Sequence, residues 1–354
     1  MKALITSGGH GTRLRPITHT QNKHLIPIAN KPMLHYAIEA IAGAGIKDIG
    51  IVTNAKNRDV ETAIGTGKEF GVKITYIPQE SPLGLAHVVK ISHDFLKDEP
   101  FVFYLGDNML VGGVKRFIDE FKKLHSNCHL TLSKVKDPER FGVPELRDGR
   151  IVSIEEKPKH PKSDFAVAGI YIYDACIFEA VNHIKPSPRG ELEISDAHQY
   201  LLDKGYAITY SEITGWWKDT GKPYDLLEAN RLVLENQETR IEGEVDDDSV
   251  ITGKVVIGKG TKIKNSVLRG PCIIGKDCTI KDSYIGPFTS IYDDCLVKKS
   301  EVEFSIILKH CKIEDVGIRL EESLLGNDVQ IVSAEKKPRT NRFMLGDQSR
   351  VEVV

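Results

Sequence analysis

Long apolar runs are missing from this sequence. None reaches the roughly 18 consecutive residues that a membrane-spanning helix needs, so no span and no membrane partner is expected. A basic surplus is missing too: 48 Lys and Arg stand against 50 Asp and Glu, a net charge of −2. Nucleic-acid binders usually carry such a surplus, so no nucleic-acid partner is expected. The opening residues, Met1-Lys2-Ala3-Leu4-Ile5-Thr6, run directly into glycines, without the apolar stretch of a secretion signal. There is no Cys-x-x-Cys among the six cysteines, which predicts reduced thiols in a cytoplasmic protein. The twelve histidines show no metal-ligand spacing. What remains is a globular composition, 40% apolar and 28% charged over 354 residues, enough for about two domains.

Residues 1–240 alternate strand and helix signals. Lys2 to Ser7 is a short apolar strand ending at Gly8 and Gly9. Pro32 opens a helix with Met33, Leu34, Tyr36, Ala37, Ile38 and Ile41 mostly on one side, ended by Gly43 and Gly45. Asp48–Thr53, Lys73–Ile77 and Phe101–Leu105 read as buried strands, Asp59–Phe70 and Leu85–Leu96 as helices. Buried strands alternating with helices predict an α/β domain on a mostly parallel sheet. Ligands on such sheets bind beyond the carboxyl ends of strands, which draws attention to Gly8–Arg15 and Gly106–Asn108.

The texture changes over residues 241–354. Ile257-Gly258, Ile263, Ile274-Gly275, Ile280, Ile285-Gly286 and Ile291 recur at spacings near six. That period predicts a left-handed β-helix, with three flat faces per coil and isoleucines stacked inside. An ordinary antiparallel β domain is the alternative. The period blurs after about Ile306, which predicts a cap there, with Val302, Ile306, Ile307 and Leu308 on a capping or subunit-facing surface. Cys272, Cys278, Cys295 and Cys311 are spaced like small inward residues of successive coils, and His310 is expected on the surface. A short coil stack leaves open ends, so a homo-oligomer is expected.

Gly8-Gly9-His10-Gly11-Thr12-Arg13-Leu14-Arg15-Pro16 follows the first strand. Glycines there permit tight turns and bring N–H groups close to a phosphate. No Gly-Lys-Ser/Thr follows, so this is not a P-loop, and Leu14 occupies the place of the third dinucleotide-fingerprint glycine. Arg13 adds a planar, two-pronged phosphate donor, and Lys23 and Lys31 follow in the same connection. A glycine-rich turn with solvated cations is the bland alternative.

These residues resemble the signature of the sugar-1-phosphate nucleotidyltransferases. Further motifs come in that family's order: Gln79-Glu80-Ser81-Pro82-Leu83-Gly84, Gly106-Asp107-Asn108, Asp137 to Val143, Glu155-Glu156-Lys157-Pro158, Val167-Ala168-Gly169, Arg189 to Asp196 and Trp217-Lys218-Asp219-Thr220-Gly221. Gln79 with Gly84 and the Arg-Gly-Glu-Leu-Glu-Ile run look most like the branch that activates glucose 1-phosphate with dTTP, in its longer form. UTP with glucose or N-acetylglucosamine 1-phosphate is the alternative. Against the family pattern, His24 and Phe141 stand where glutamine and tyrosine are common.

The resemblance implies a Rossmann-like nucleotidyltransferase domain followed by the β-helix. It implies attack of a hexose 1-phosphate on the α-phosphate of dTTP or UTP, with release of pyrophosphate. Gly8, Gly9, Gly11, Thr12, Arg13, Lys23, Gln79, Pro82, Gly84 and Asp107 would bind the nucleotide. Asn108, Gly142, Glu156, Lys157 and Val167 would bind the sugar. Arg13, Lys23 and Lys157 would be catalytic, and Asp107 and Asp219 would hold Mg²⁺. Taken singly, Asp107 and Asp219 also suit ordinary turns. Lys157 also suits a solvated loop paired with Glu155 or Glu156, and Trp216 and Trp217 suit the core.

Overall fold

The computed structural model describes residues 1–9, 11–333 and 341–353. The chain divides into two compact units, Met1–His10 with Met33–Asp219, and Gly11–Pro32 with Thr220–Val354. Among the described residues no helix is long and apolar enough to cross a membrane.

The first unit is built on a seven-stranded sheet. Its order is Ile208–Glu212, Cys128–Lys134, Phe165–Tyr173, Phe101–Leu105, Lys2–Thr6, Asp48–Asn54, Lys73–Gln79. All neighbours run parallel except Phe165–Tyr173, which is antiparallel to both strands beside it. Ala3, Leu4 and Ile5 are fully buried, because both sheet faces are covered; that is why this strand is continuously apolar rather than alternating. The helix Met33–Gly43 buries Met33, Leu34, Ala37, Ile38 and Ile41 along one face. The expected α/β domain on a mostly parallel sheet is therefore present.

Two helices are shorter than the sequence pattern suggests. The segment read as one helix over Asp59–Phe70 is a helix Asp59–Ile64 and a separate single turn Lys68–Phe70. Gly65 and Gly67 between them have φ of +62° and +83°, and a Cβ on Gly67 would lie 2.8 Å from Ile74. The segment Leu85–Leu96 breaks at Ser92, whose hydroxyl donates to the Val88 carbonyl at 2.7 Å in place of a continuing turn.

Sheet order reverses at Lys2–Thr6. The chain leaves that strand toward Asp48–Asn54 on one side and returns as Phe101–Leu105 on the other. Thr6 pairs with Leu105, and the Gly106 N–H donates to the Thr6 carbonyl at 3.1 Å. The carboxyl ends of these two strands thus form a topological switch point, the place where such sheets bind ligands.

In the second unit, strands from Arg240–Ile241 to Gln330–Val332 stack into three parallel sheets of six, six and four strands, in the form of a left-handed β-helix. Ile257 pairs with Ile274 and Ile274 with Ile291, so a coil is seventeen residues. The inward residues Ile257, Ile263, Leu268 and Ile274 are spaced six, five and six apart; one face of this coil is a residue shorter than the hexad the period suggested. Aspartates and asparagines predominate at two columns of corners. Asn265, Asp282, Lys299 and Asp315 form one column, and Asp277, Asp294, His310 and Asp328 another, all with φ between +44° and +61°. Asn and Asp tolerate the left-handed region better than other side chains, which is why they predominate where the coils turn.

The coils do not give way to a cap at Ile306. Ile306–Ile307 and Lys312–Glu314 go on to pair with Leu324–Leu325 and Gln330–Val332. Val302, Ile306, Ile307 and Leu308 are buried, each at most 2% exposed, rather than on a capping or subunit-facing surface, and Val302 and Ile307 lie in the core of the coils. The period blurred because coil length drifts: Ile291 to Ile307 spans sixteen residues and Ile307 to Leu325 eighteen. Cys272, Cys278, Cys295 and Cys311 lie free and buried inside the coils, while His310 is exposed between Asp294 and Asp328.

Two histidines are sealed in the first unit. His198 has Nε2 2.6 Å from the Tyr173 hydroxyl and no hydrogen-bond partner at Nδ1. His129 lies 2.7 Å from both Thr209 and Ser211 hydroxyls. Burial pushes His198 down to about 3 and His129 to about 4, the latter against the opposing pull of Glu120. Above the unfolded histidine value of about 6.5, neither state binds these protons. As pH falls below it, the unfolded chain takes up protons that the folded chain refuses, so stability is lost, with a limiting slope of ~1.4 kcal/mol per pH unit per histidine. Urea midpoints measured from pH 7 to 4.5 should show this fall, and His198→Phe should reduce the slope by about one proton. An unchanged slope in that variant would count against the assignment.

Candidate active site

Asp107 follows Phe101–Leu105 after Gly106, at the switch point, and Asn108 begins a short strand, Asn108–Leu110. That strand pairs antiparallel with Trp217–Asp219, setting Asn108 opposite Asp219. Two carboxylates far apart in sequence are thereby brought to the same end of a two-stranded ribbon. Asn108 is nearly fully buried and ties the arrangement together. Its Oδ1 accepts from the Trp217 indole N–H at 2.7 Å and from the Gly169 N–H at 3.2 Å, and its amide nitrogen donates to Asp107 at 3.1 Å. Gly169 must be glycine, since a Cβ there would fall 2.7 Å from Leu105 and 2.8 Å from Asn108. It lies in an irregular stretch of Phe165–Tyr173, where register shifts between Val167 and Tyr171; such bulges aim neighbouring groups. The buried Tyr171 phenol is pushed well above its ordinary range, by burial first and then by Glu156, Asp107 and Asp219. Three carboxylates therefore act on one phenol. Two carboxylates fit Mg²⁺, which is commonly held by one or two of them together with substrate phosphates.

Glu156 ends the second strand of the hairpin Gly142–Arg147, Arg150–Glu156, turned by Asp148-Gly149 with both φ positive. It pairs with Gly142. A Cβ on Gly142 would lie 2.6 Å from the Ser195 hydroxyl, which donates to Glu156 at 2.7 Å. Lys157 Nζ and an Arg189 nitrogen approach the other Glu156 oxygen at 3.4 and 3.5 Å. Lys157 itself has φ +46°, a costly conformation for a non-glycine residue and one that concentrates at functional sites. Val167 is buried in the strand alongside, and Phe141 packs edge-on against Trp217 with ring centres 5.6 Å apart.

Gln79 ends the sheet's edge strand. Its side chain lies against Gly8, where a Cβ would be 3.3 Å from its oxygen, and its amide nitrogen is 3.0 Å from His87 Nδ1. Burial and nearby Lys90 hold the His87 pKa below its usual value, favouring the neutral ring that can accept this bond. Gly84 has φ +100°, with Leu192 backbone filling the space a Cβ would need, while Pro82 and Gly9 are exposed.

Gly11, Thr12, Arg13 and Lys23 lie in the second unit. Gly11 has φ +60°, and its carbonyl accepts from the Thr18 hydroxyl at 2.7 Å. A Cβ on Gly11 would meet Thr18 and Lys23, so the turn brings Lys23 beside the glycine loop. The exposed Arg13 guanidinium lies over Gly221, 3.1 Å from where a Cβ would stand. His24 is buried and bonded to Asn22 at 2.8 Å, pointing inward.

The structure thus groups Asp107, Asn108 and Asp219; Gly142, Glu156 and Lys157; Gly8 and Gln79; Gly11 and Lys23; and Arg13 and Gly221. Sequence reading did not identify Trp217, Gly169, Ser195 or His87 as supports of the site. The aromatic in Trp-x-Asp and the glycine in Val-Ala-Gly lay within motifs, but nothing in sequence indicated that both donate to one asparagine.

The chain belongs to the nucleotidyl transferase family, whose model matches residues 2–236, and it is an enzyme of that family. The family joins a nucleoside triphosphate to a sugar 1-phosphate. The glucose-1-phosphate thymidylyltransferase of Streptomyces griseus is 51% identical over all of this chain and 99% of its own length. A Bacillus anthracis protein solved in complex with a sucrose aligns with TM-score 0.64 and 40% identity, over 68% of this chain and 98% of that one. A UDP-glucose pyrophosphorylase complexed with UDP-glucose aligns with TM-score 0.60 and 26% identity, over 67% and 99% respectively.

Trp217→Phe keeps an aromatic ring against Phe141 but removes the N–H that orients Asn108. Groups that orient a ligand residue are typically worth 10–100-fold, so turnover should fall by about that range with little change in thermal midpoint. Turnover within about twofold of the parent would show that Asn108 needs no such support.

Proposed function

We propose that this protein is a glucose-1-phosphate thymidylyltransferase, converting dTTP and glucose 1-phosphate into dTDP-glucose and pyrophosphate. The observation that carries the reading is the pair Asp107 and Asp219, held together at the switch point by Asn108. The full-length similarity to the Streptomyces griseus enzyme supports this choice of substrates.

In this reaction an oxygen of the sugar phosphate attacks the α-phosphorus of dTTP, and pyrophosphate leaves in line. The nucleophile is already anionic, so no strong base is needed. The work lies in assembling polyanions and stabilising charge in the transition state. Arg13 binds the leaving phosphates with its planar fork, and Lys23 assists on the triphosphate. Gly8, Gly9, Gly11 and Thr12 let the backbone approach the phosphates. Gln79, Pro82 and Gly84 receive the base. Lys157 neutralises the sugar phosphate, while Asn108, Gly142, Glu156 and Val167 bind the hexose. Asp107 and Asp219 hold Mg²⁺, which when bound supplies positive charge to the phosphate oxygens.

Residues 1–240 form the catalytic domain, and residues 241–354, a β-helix with a C-terminal tail, assemble a homo-oligomer. The protein works in the cytoplasm, where its free cysteines stay reduced.

Pyrophosphate release across a panel of triphosphates and sugar 1-phosphates tests the reading. dTTP with glucose 1-phosphate should give the highest kcat/KM; preference for UTP would move the assignment to a uridylyltransferase. In the same assay Asp107→Asn should lower turnover by at least about a hundredfold, the fold remaining intact. Arg13→Lys keeps the charge but loses the fork, so turnover should fall more than triphosphate affinity. A loss confined to affinity would place Arg13 in ground-state binding only.

A further inference from the structure

The second unit joins the β-helix to Gly11–Pro32, the segment that carries Arg13 and Lys23. This segment ends in a hairpin, Pro27–Ile28 with Lys31–Pro32, whose two turn residues Ala29 and Asn30 have φ of +46° and +59°. Tight hairpins need that backbone, but alanine is a poor occupant of it, and such strain persists only where surrounding contacts impose it.

The contacts are specific. Asn230, fully buried on the helix Pro223–Leu234, accepts from the Ala29 N–H at 2.8 Å and donates to the Phe288 carbonyl at 2.9 Å. Asn30 donates to the Ile291 carbonyl at 2.6 Å. Both carbonyls belong to a single coil of the β-helix. The corner they flank departs from the rest: where the other two columns of corners carry polar residues, mostly Asp or Asn, this one has Phe288 and Phe304, both with positive φ. A bulky side chain there is an outlier. Arg231 lies over the Phe288 ring, and Tyr224 packs edge-on against Phe304. Farther along, Gly326 lies against Ile17, and His19 is 3.3 Å from the Asp347 carbonyl. The helix itself is tied down at its far end, where Gln237 donates to the Cys272 carbonyl at 2.8 Å and Lys254 to the Glu235 carbonyl at 2.7 Å.

We infer that Asn30 and Asn230 are positioning residues that latch the triphosphate-binding segment to the β-helix corner at Phe288–Ile291, so that the coil stack sets the placement of Arg13 and Lys23. The inference rests on the triphosphate role proposed for those two residues. It gives the β-helix a part in turnover besides assembly. Misplacement of a binding group by about 1 Å can cost on the order of a hundredfold in rate, so a partial loosening at the base of the hairpin should be readable in kinetics.

The test uses the full-length protein. Asn30→Gly accommodates the positive φ and removes only the bond to Ile291; Asn230→Ala removes both bonds of the bridge. Steady-state kinetics with dTTP and glucose 1-phosphate are combined with amide hydrogen exchange. In Asn30→Gly, kcat/KM for dTTP should fall about tenfold while KM for glucose 1-phosphate stays within about twofold of the parent. Exchange should accelerate over residues 11–32 and remain unchanged in the coils at 250–333. Asn230→Ala should do the same more strongly. Parental kinetics and parental exchange over 11–32 in Asn30→Gly would overturn the latch. So would a rise of both KM values together with lost protection in the coils, the mark of a merely structural role. Exchange is independent of chemistry: if the parent transferred no nucleotide to any sugar phosphate while exchange responded as stated, the functional reading would fall and the latch would stand.

Discussion

One buried amide carries much of the candidate site. Asn108 has a single carbonyl oxygen and a single NH₂, and the structure spends them on Trp217, Gly169 and Asp107. Each partner comes from a different part of the first unit: the ribbon strand Trp217–Asp219, the antiparallel strand Phe165–Tyr173, and the end of Phe101–Leu105. An unpaired amide at this depth would cost about 1–3 kcal/mol, so the three elements are held to a common arrangement. Asp107 and Asp219 are adjacent because the ribbon makes them so. The like charges so gathered raise the Tyr171 phenol further than burial alone. Gathered carboxylates of this kind suit a divalent cation.

The β-helix shows how a monotonous pattern can carry specific information at its exceptions. Its inward columns are mostly aliphatics with some cysteines, and its polar corners are mostly Asn and Asp because the backbone there is left-handed. Phe288 and Phe304 break the rule at the corner where Asn230 and Arg231 dock. An apolar residue accepting left-handed strain is explained by what covers it. Seen this way, the strained Ala29–Asn30 turn and the strained phenylalanine corner are two sides of one contact within the second unit.

Much of this was legible in the residues alone. Strand–helix alternation foretold the α/β sheet, and isoleucine periodicity foretold the coils, because burial on both faces or inside a stack leaves an apolar signature independent of partners. The carboxylates, cations and glycines of the candidate site stood out because phosphate chemistry uses few residue types. Boundaries were less legible. Gly65, Gly67 and Ser92 ended helices through backbone angles and a side-chain bond that periodicity does not register. The last coils were hidden by one-residue changes of length, since a fixed period loses phase after each slip while the sheet registers do not.

The sequence by itself determined the two architectures and the kinds of chemical group available, since those follow from local period and residue type. Only the tertiary structure decided that Trp217 and Gly169 meet on Asn108, that Ser195 fills the space left by Gly142, and that the segment bearing Arg13 and Lys23 is fastened to a β-helix corner through Asn30 and Asn230. Each of these joins residues tens to hundreds of positions apart through directional hydrogen bonds or a missing Cβ. Such pairings depend on where the backbone has been carried, which no local pattern records.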